Sequence, residues 1–116
     1  MPEKGFDLKV LIPTDDGLTI SKNGIRGALY YLFYNVSNRS YQLAGKIKTA
    51  EWYQEKKFRI TDFKMLLTKE KIDLVLTLSA TDINLLCRVK VINNDDIALN
   101  LNQLIDSIDK KRANLS

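Results

Sequence analysis

The segment from Ala28 to Val36, Ala-Leu-Tyr-Tyr-Leu-Phe-Tyr-Asn-Val, constrains the fold more than any other stretch of this chain. Its aromatic residues suit a pleated surface and make it the strongest strand in the sequence. Ser37-Asn38-Arg39-Ser40 follows as a hairpin turn, and Tyr41 to Thr49 returns as a second strand. Simple alternation puts Tyr41, Leu43, Gly45 and Ile47 on one mostly apolar face. Gln42, Ala44, Lys46 and Lys48 then fall on a polar face, so this strand is expected to be half exposed.

Other elements arrange themselves around that hairpin. Leu8 to Ile12 is a short apolar run, stopped by Pro13, and reads as a buried strand. Asp15-Asp16-Gly17 is a turn signal, Leu18 to Ser21 an extended edge segment, and Lys22 to Gly27 a loop. Ala50 to Arg59 has no clean period and reads as a charged loop with room for one helical turn. Thr61 is placed to N-cap a helix from Asp62 to about Lys71, with Phe63, Leu66 and Leu67 near one face. Ile72 to Ser79 is a strand, and Thr81 starts a second helix running to about Cys87. Arg88 to Ile92 is a short strand and Asn93 to Asp96 a turn. The last helix runs from Asp96 to about Arg112 with an apolar stripe of Ile97, Leu101, Leu104, Ile105 and Ile108, and Lys110, Lys111 and Arg112 complement its dipole. Three strands followed by α-β-α-β-α argue an α/β fold whose mixed sheet has an antiparallel side and a parallel side, flanked by helices.

Length and composition narrow the chemistry. At 116 residues the chain fits one domain spanning residues 1–116. It contains no histidine and one cysteine. No imidazole is present to act as ligand, base or proton shuttle, and one thiol makes neither an internal disulfide nor a multi-thiolate site. Zinc fingers, Ser-His and Cys-His hydrolases and self-contained iron–sulfur proteins are excluded. No run approaches the roughly 18–20 apolar residues of a membrane span. Met1-Pro2-Glu3-Lys4-Gly5 lacks the pattern of a signal peptide. Cys87, in an apolar stretch, suits a reducing compartment. The expectation is a soluble cytoplasmic protein.

The net charge is +4, and all of it belongs to one segment. Between Lys46 and Lys71 lie eight basic residues and four acidic ones, while the other 90 residues hold ten of each sign. This excess reads either as a solvated loop and the outer face of a helix or as an anion-facing surface.

The motifs of nucleotide binding are missing: Gly24-x-x-Gly27 is neither a P-loop nor a dinucleotide fingerprint. Asp15, Asp16 and Asp73 could hold Mg²⁺ for a metal-dependent nuclease only if they converged, and Asp73 stands at the wrong end of its strand. Asp-Asp-Gly is a common turn sequence. Ser79-Ala80-Thr81-Asp82 joins a strand to a helix N-terminus, where a plain N-cap is the simpler use than an anion site. Trp52 and Tyr53 beside Lys56, Lys57 and Arg59 give a weak nucleic-acid signal, diluted by Glu51 and Glu55. Packing of Trp52 at the core edge is the simpler reading. No metal set and no activated nucleophile is visible, so catalysis is not expected.

Ile12-Pro13-Thr14-Asp15-Asp16-Gly17, then Thr19-Ile20-Ser21, then Tyr30-Tyr31-Leu32-Phe33-Tyr34 resemble the dinitrogenase iron–molybdenum cofactor biosynthesis family. That family opens with a strand ending in Ile-Pro, an Asp/Gly turn, an Ile-Ser, a His-Phe-Gly-x-Ala loop and an aromatic strand. The order of the later elements is similar as far as Ile108. The resemblance implies a ribonuclease-H-like three-layer α/β fold with a five-stranded mixed sheet. It also implies a non-catalytic carrier of iron–sulfur or iron–molybdenum cluster precursors, with cluster-assembly or nitrogenase-related proteins as partners. Such clusters are anionic, which the basic segment would suit. The chain departs from the pattern at the loop itself. Asn23-Gly24-Ile25-Arg26-Gly27-Ala28 is one residue longer, and Asn23 stands where the family has histidine. Ser79-Ala80 replaces a Gly-Gly, and Cys87, the remaining ligand, is expected to be buried. The residues expected at the site are Asn23, Gly24, Arg26 and Gly27, with Lys56, Lys57 and Arg59 supplying positive charge. A different class of function on the same scaffold is an interaction module for an anion, a nucleic acid or a protein.

Overall fold

A computed structural model of the chain describes residues 8–78 and 87–115. Its centre is a five-stranded sheet in the order β3-β2-β1-β4-β5. The strands are β1 (Leu8–Thr14), β2 (Tyr30–Val36), β3 (Tyr41–Lys48), β4 (Leu74–Thr77) and β5 (Arg88–Val91). β2 is antiparallel to both β1 and β3, whereas β4 is parallel to β1 and to β5. Four of the five strands therefore share one direction, and β2 alone opposes them. The expected α/β class and mixed sheet are observed.

The unbroken apolar runs of β1 and β4 follow from burial on both faces. Leu11 and Val75 point into one core with Tyr31, Phe33, Phe63, Leu66 and Leu67. Val10, Ile12, Leu74 and Leu76 point into the other with Leu32, Val36, Ile97, Leu101 and Leu104. The first core is covered by α3 (Ile60–Lys69) and the second by α4 (Ile97–Leu115). Two single-turn helices complete the described elements, α1 (Gly24–Gly27) and α2 (Thr49–Trp52), and a 3₁₀ turn at Gln54–Lys56 follows α2.

Several local expectations are corrected. Pro13 does not stop β1, which continues to Thr14 with Pro13 opposite Tyr31. The parallel register to β4 involves Val10 and Leu11, so the missing N–H of Pro13 falls beyond it. Lys22–Gly27 is not wholly loop, because Ala28 N–H bonds to the Gly24 carbonyl and closes the turn of α1. α3 begins at Ile60, ahead of Thr61, and Arg59 takes the N-cap position without a side-chain bond. Packing of Ile60 and Phe63 against the first core draws the helix start back along the chain. The helix expected from Thr81 to Cys87, with its Ser79 or Thr81 cap, lies outside the described residues apart from Cys87 itself.

β3 departs from simple alternation. Phe33 pairs with Gly45 but Tyr34 pairs with Leu43, so Ala44 is an extra residue in the β2–β3 ladder. One inserted residue turns the rest of the strand over. Ile47 packs against the first core, while Tyr41 packs against the second, edge-on to Tyr34 at 5.8 Å between ring centres. Tyr41 and Ile47, expected on one face, occupy opposite ones. Leu43 is left 52% exposed on the strand that forms this edge of the sheet.

Candidate functional site

Asn23, Gly24, Arg26, Gly27, Lys56, Lys57 and Arg59, the residues expected at the site, all lie in two connections leaving the same end of the sheet. Residues 15–29 follow the end of β1, and residues 49–59 follow the end of β3. This is the carboxyl end of the parallel strands, where open α/β sheets present their ligand crevices.

The first connection is held by its own acids. Asp16 Oδ1 accepts from the N–H groups of Leu18 and Thr19, at 2.9 and 2.8 Å, and Thr19 Oγ1 donates to the same carboxylate at 3.0 Å. The backbone bonds from Thr19 and Leu18 hold the Asp16 carboxyl below its ordinary value. Gly17 completes the turn at φ +82, a conformation that side chains rarely adopt. Asp15 reaches the other way. Its Oδ2 accepts from Ser21 Oγ and its Oδ1 from Leu29 N–H, both at 3.0 Å, so it ties the two ends of the loop together. Asp73 accepts from Lys9 N–H at the opposite end of β4. The three acids do not converge, and no metal-holding cluster of His, Cys, Asp or Glu occurs among the described residues.

A second set of bonds fastens this loop to the start of α4. Ile20 N–H donates to the Asp95 carbonyl at 2.8 Å, and Ile97 N–H to the Leu18 carbonyl at 3.2 Å. Thr19 and Asp96 form an isolated antiparallel bridge. Asn100, 5% exposed, donates to the carbonyls of Asn94 and Asp96 from one turn inside the helix. Asp96 caps that helix by accepting from Leu99 N–H.

α1 sits on this frame. Asn23 and Arg26 are exposed, Gly24 is buried, and Gly27 lies against Asn23. A Cβ built on Gly27 would stand 2.6 Å from that of Asn23, so only glycine fits there. Beneath α1, Tyr31 donates its hydroxyl to the Ile25 carbonyl at 2.5 Å.

The second connection carries Lys56, Lys57 and Arg59, all exposed. Glu55 and Lys56 adopt left-handed backbone, φ 61 and 59. Arg59 leans towards Asp62 at 3.9 Å, a loose surface pair. Phe58, between Lys57 and Arg59, turns inward onto Tyr53 and Phe63, with ring centres 5.5 and 5.9 Å away. The Arg26 guanidinium lies over that Phe58 ring, 5.0 Å from its centre. This contact joins the two connections, so the α1 loop and the basic segment form one corner of the molecule.

The remaining aromatics are used differently. Tyr53 is buried, and Trp52 is half-buried with its indole N–H on the Asp62 carbonyl at 3.2 Å and the Lys69 ammonium over its ring. Neither ring stands free for base stacking. Cys87 is half-buried against the first core, with burial and then Asp73 pushing its thiol up, which disfavours the thiolate needed for metal ligation. Phe58 was not among the residues expected at the site. Its signal in the sequence was an aromatic set directly between Lys57 and Arg59.

No helix among the described residues is long and apolar enough to cross a membrane. Compared with protein-family models and with curated proteins, the chain matches none.

Proposed function

We propose that this chain is a non-catalytic binding protein that holds an anionic ligand at the corner formed by α1 and residues 56–59. The observation that carries this reading is the Arg26–Phe58 contact, which draws two cationic segments, distant in sequence, to the carboxyl end of the parallel strands. In the ribonuclease-H-like version of this scaffold, the order β3-β2-β1-β4-β5 with β2 alone reversed is the supporting feature. By the resemblance of the first 36 residues, the cargo is an iron–sulfur or iron–molybdenum cluster precursor. It would be received from and passed to cluster-assembly or nitrogenase-related proteins in the cytoplasm.

Asn23, at the tip before α1, and Arg26 would face the cargo, with Gly24 and Gly27 shaping the loop and Lys56, Lys57 and Arg59 supplying charge. Direct ligation by this chain has little to draw on among the described residues, since Asn23 replaces the histidine and the Cys87 thiol is half-buried. The cluster would therefore keep its own ligands and be held by charge and hydrogen bonds. Anaerobic titration with a [4Fe–4S] cluster and with an iron–molybdenum cluster, followed by visible absorbance, tests this. Uptake that falls in Asn23→Ala and Arg26→Ala supports the carrier reading. No uptake, or uptake indifferent to both changes, removes it.

A further inference from the structure

The geometry points to Arg26, presented by Phe58, as a clamp for a phosphate-type oxyanion, with Phe58 a positioning residue for that clamp. This rests on the reading of the corner as an anion site and adds a ligand class and a residue to it.

An arginine in a folded protein is usually steadied by a carboxylate, which takes up two of its donors. Arg26 is steadied by a ring instead, and it makes no ion pair among the described residues. A ring face attracts the cation without accepting its N–H groups in the manner of an oxygen. All five guanidinium donors therefore stay open to a ligand in their fixed fork.

The ring itself is anchored. Phe58 packs on Tyr53 and Phe63, and each of these packs edge-on or tilted against the next, with Tyr31 meeting both. A chain of aromatic contacts thus runs from the centre of the sheet to the exposed guanidinium. From the other side, the backbone of α1 is pinned one residue away, where Tyr31 donates to the Ile25 carbonyl. Phe58 is tied to Tyr31 through Tyr53 and Phe63, and the backbone before Arg26 is tied to it directly, which lowers the ordering cost of binding.

The charge favours a dianion. Lys57 and Arg59 flank Phe58 in the chain and Lys56 precedes them, all exposed. A phosphate group offers two oxygens to the fork and further charge to the lysines, whereas chloride offers no second acceptor. The shared chemistry is a phosphoryl group, free or carried by a larger molecule, and two probes separate the sources.

Inorganic phosphate and pyrophosphate are titrated into the full chain while the Arg26 Nε–H resonance is followed by NMR, with sodium chloride at matched ionic strength as control. The expected result is a saturable shift of Arg26 with either probe and none with chloride. Pyrophosphate binding markedly tighter than phosphate identifies the ligand as a larger phosphorylated molecule, and equal affinity identifies simple phosphate. Arg26→Lys keeps the charge and loses the fork, and is expected to weaken binding about ten-fold. Phe58→Leu keeps an apolar side chain and loses the ring, with about three-fold weaker binding expected, and Phe58→Tyr, which keeps a ring, should bind as the parent does. A chloride response equal to that of phosphate, or unaltered affinity in Arg26→Lys, overturns the clamp. Unaltered affinity in a folded Phe58→Leu variant overturns the role of the ring. Cluster uptake with no phosphate response at Arg26 overturns the clamp alone. A phosphate response without cluster uptake keeps the clamp and overturns the carrier reading.

Discussion

Tyr31 and Tyr53 meet hydroxyl to hydroxyl at 2.8 Å beneath α1. Because Tyr31 donates to the Ile25 carbonyl, its oxygen is the acceptor for Tyr53, and the direction of the pair is set. The two phenylalanine variants are therefore unequal. Tyr31→Phe strands both the Ile25 carbonyl and the Tyr53 hydroxyl and is expected to cost about 1–3 kcal/mol in urea unfolding. Tyr53→Phe leaves the Tyr31–Ile25 bond intact and should cost about 1 kcal/mol. Hydrogen exchange of the Ala28 amide, which closes α1, should quicken in the first variant only. Equal effects in both would mean that Tyr31 does not hold α1.

Both phenols are pushed well above the ordinary tyrosine value, burial being the largest cause for each. A group whose folded pKa is raised contributes stability fully below its unfolded pKa, which is about 10, and loses it as pH rises beyond. The urea midpoint of the protein should hold level up to about pH 10 and fall above it. In the double variant Tyr31→Phe/Tyr53→Phe the alkaline fall should be shallower. Tyr34, also raised by burial, would account for part of what remains.

Asp16 behaves in the opposite sense. Its folded value is depressed from 3.8 by the bonds from Thr19 and Leu18, so its contribution is complete above that pH and is lost as pH drops through the folded value. Asp16→Asn should flatten the acid limb of a stability–pH curve below pH 3.8. An unchanged acid limb in this variant would show that the turn does not depend on the carboxylate charge.

Gly27→Ala brings a methyl within 2.6 Å of the Asn23 Cβ, and α1 must shift to accept it. Overpacking of this kind costs about 1–3 kcal/mol. Adding Asn23→Gly removes the obstructing carbon and should recover part of the loss, read as a coupling in a double-mutant cycle of urea midpoints. Strict additivity of the two changes would place the strain elsewhere.

Deleting Ala44 removes the extra residue of β3. Leu43 would then follow Gly45 directly in the register it already holds with Tyr34, so regular alternation keeps Tyr41 and Leu43 on the side of the second core. We expect the Tyr34–Tyr41 contact to persist in NMR after the deletion, and its loss would show that the extra residue, and not the pairing with β2, sets the face of Tyr41. Leu43→Thr, at the exposed position beside the bulge, should stay within about 0.5 kcal/mol of the parent.

The extra residue at Ala44 shows where reading the sequence succeeds and fails. Val10, Leu11 and Ile12 are apolar in succession because both faces of β1 are buried, and that signal survives without any structure. The stripe from Ile97 to Ile108 on α4 is equally plain. Alternation through Tyr41–Ile47, however, looks unbroken in the letters. Only the partner strand shows that the count slips at Ala44, since a bulge is a property of a pair. Pro13 misleads for the same reason: its cost depends on which neighbour would have taken its N–H.

At the candidate corner, the choice of Asn23, Arg26, Lys56, Lys57 and Arg59 came from charge and from a pattern of loop residues. That these two sets meet was not legible, because the meeting is made by Phe58, an apolar residue whose partners Tyr53 and Phe63 lie on either side of it in the chain. An aromatic flanked by charges signals packing, but its direction becomes visible only once α3 is folded against the sheet.

The bonds that fasten residues 18–20 to 95–97 tie the first part of the loop after β1 to the start of α4, as a fixed rim beside the corner. A cargo held there would remain open to solvent on one side throughout its stay. Release would need no opening step, so a recipient protein could take hold of the exposed side before the donor lets go. Under the proposed carrier reading, hand-over by direct contact in a transient ternary complex is the mode of transfer that such a rim would favour.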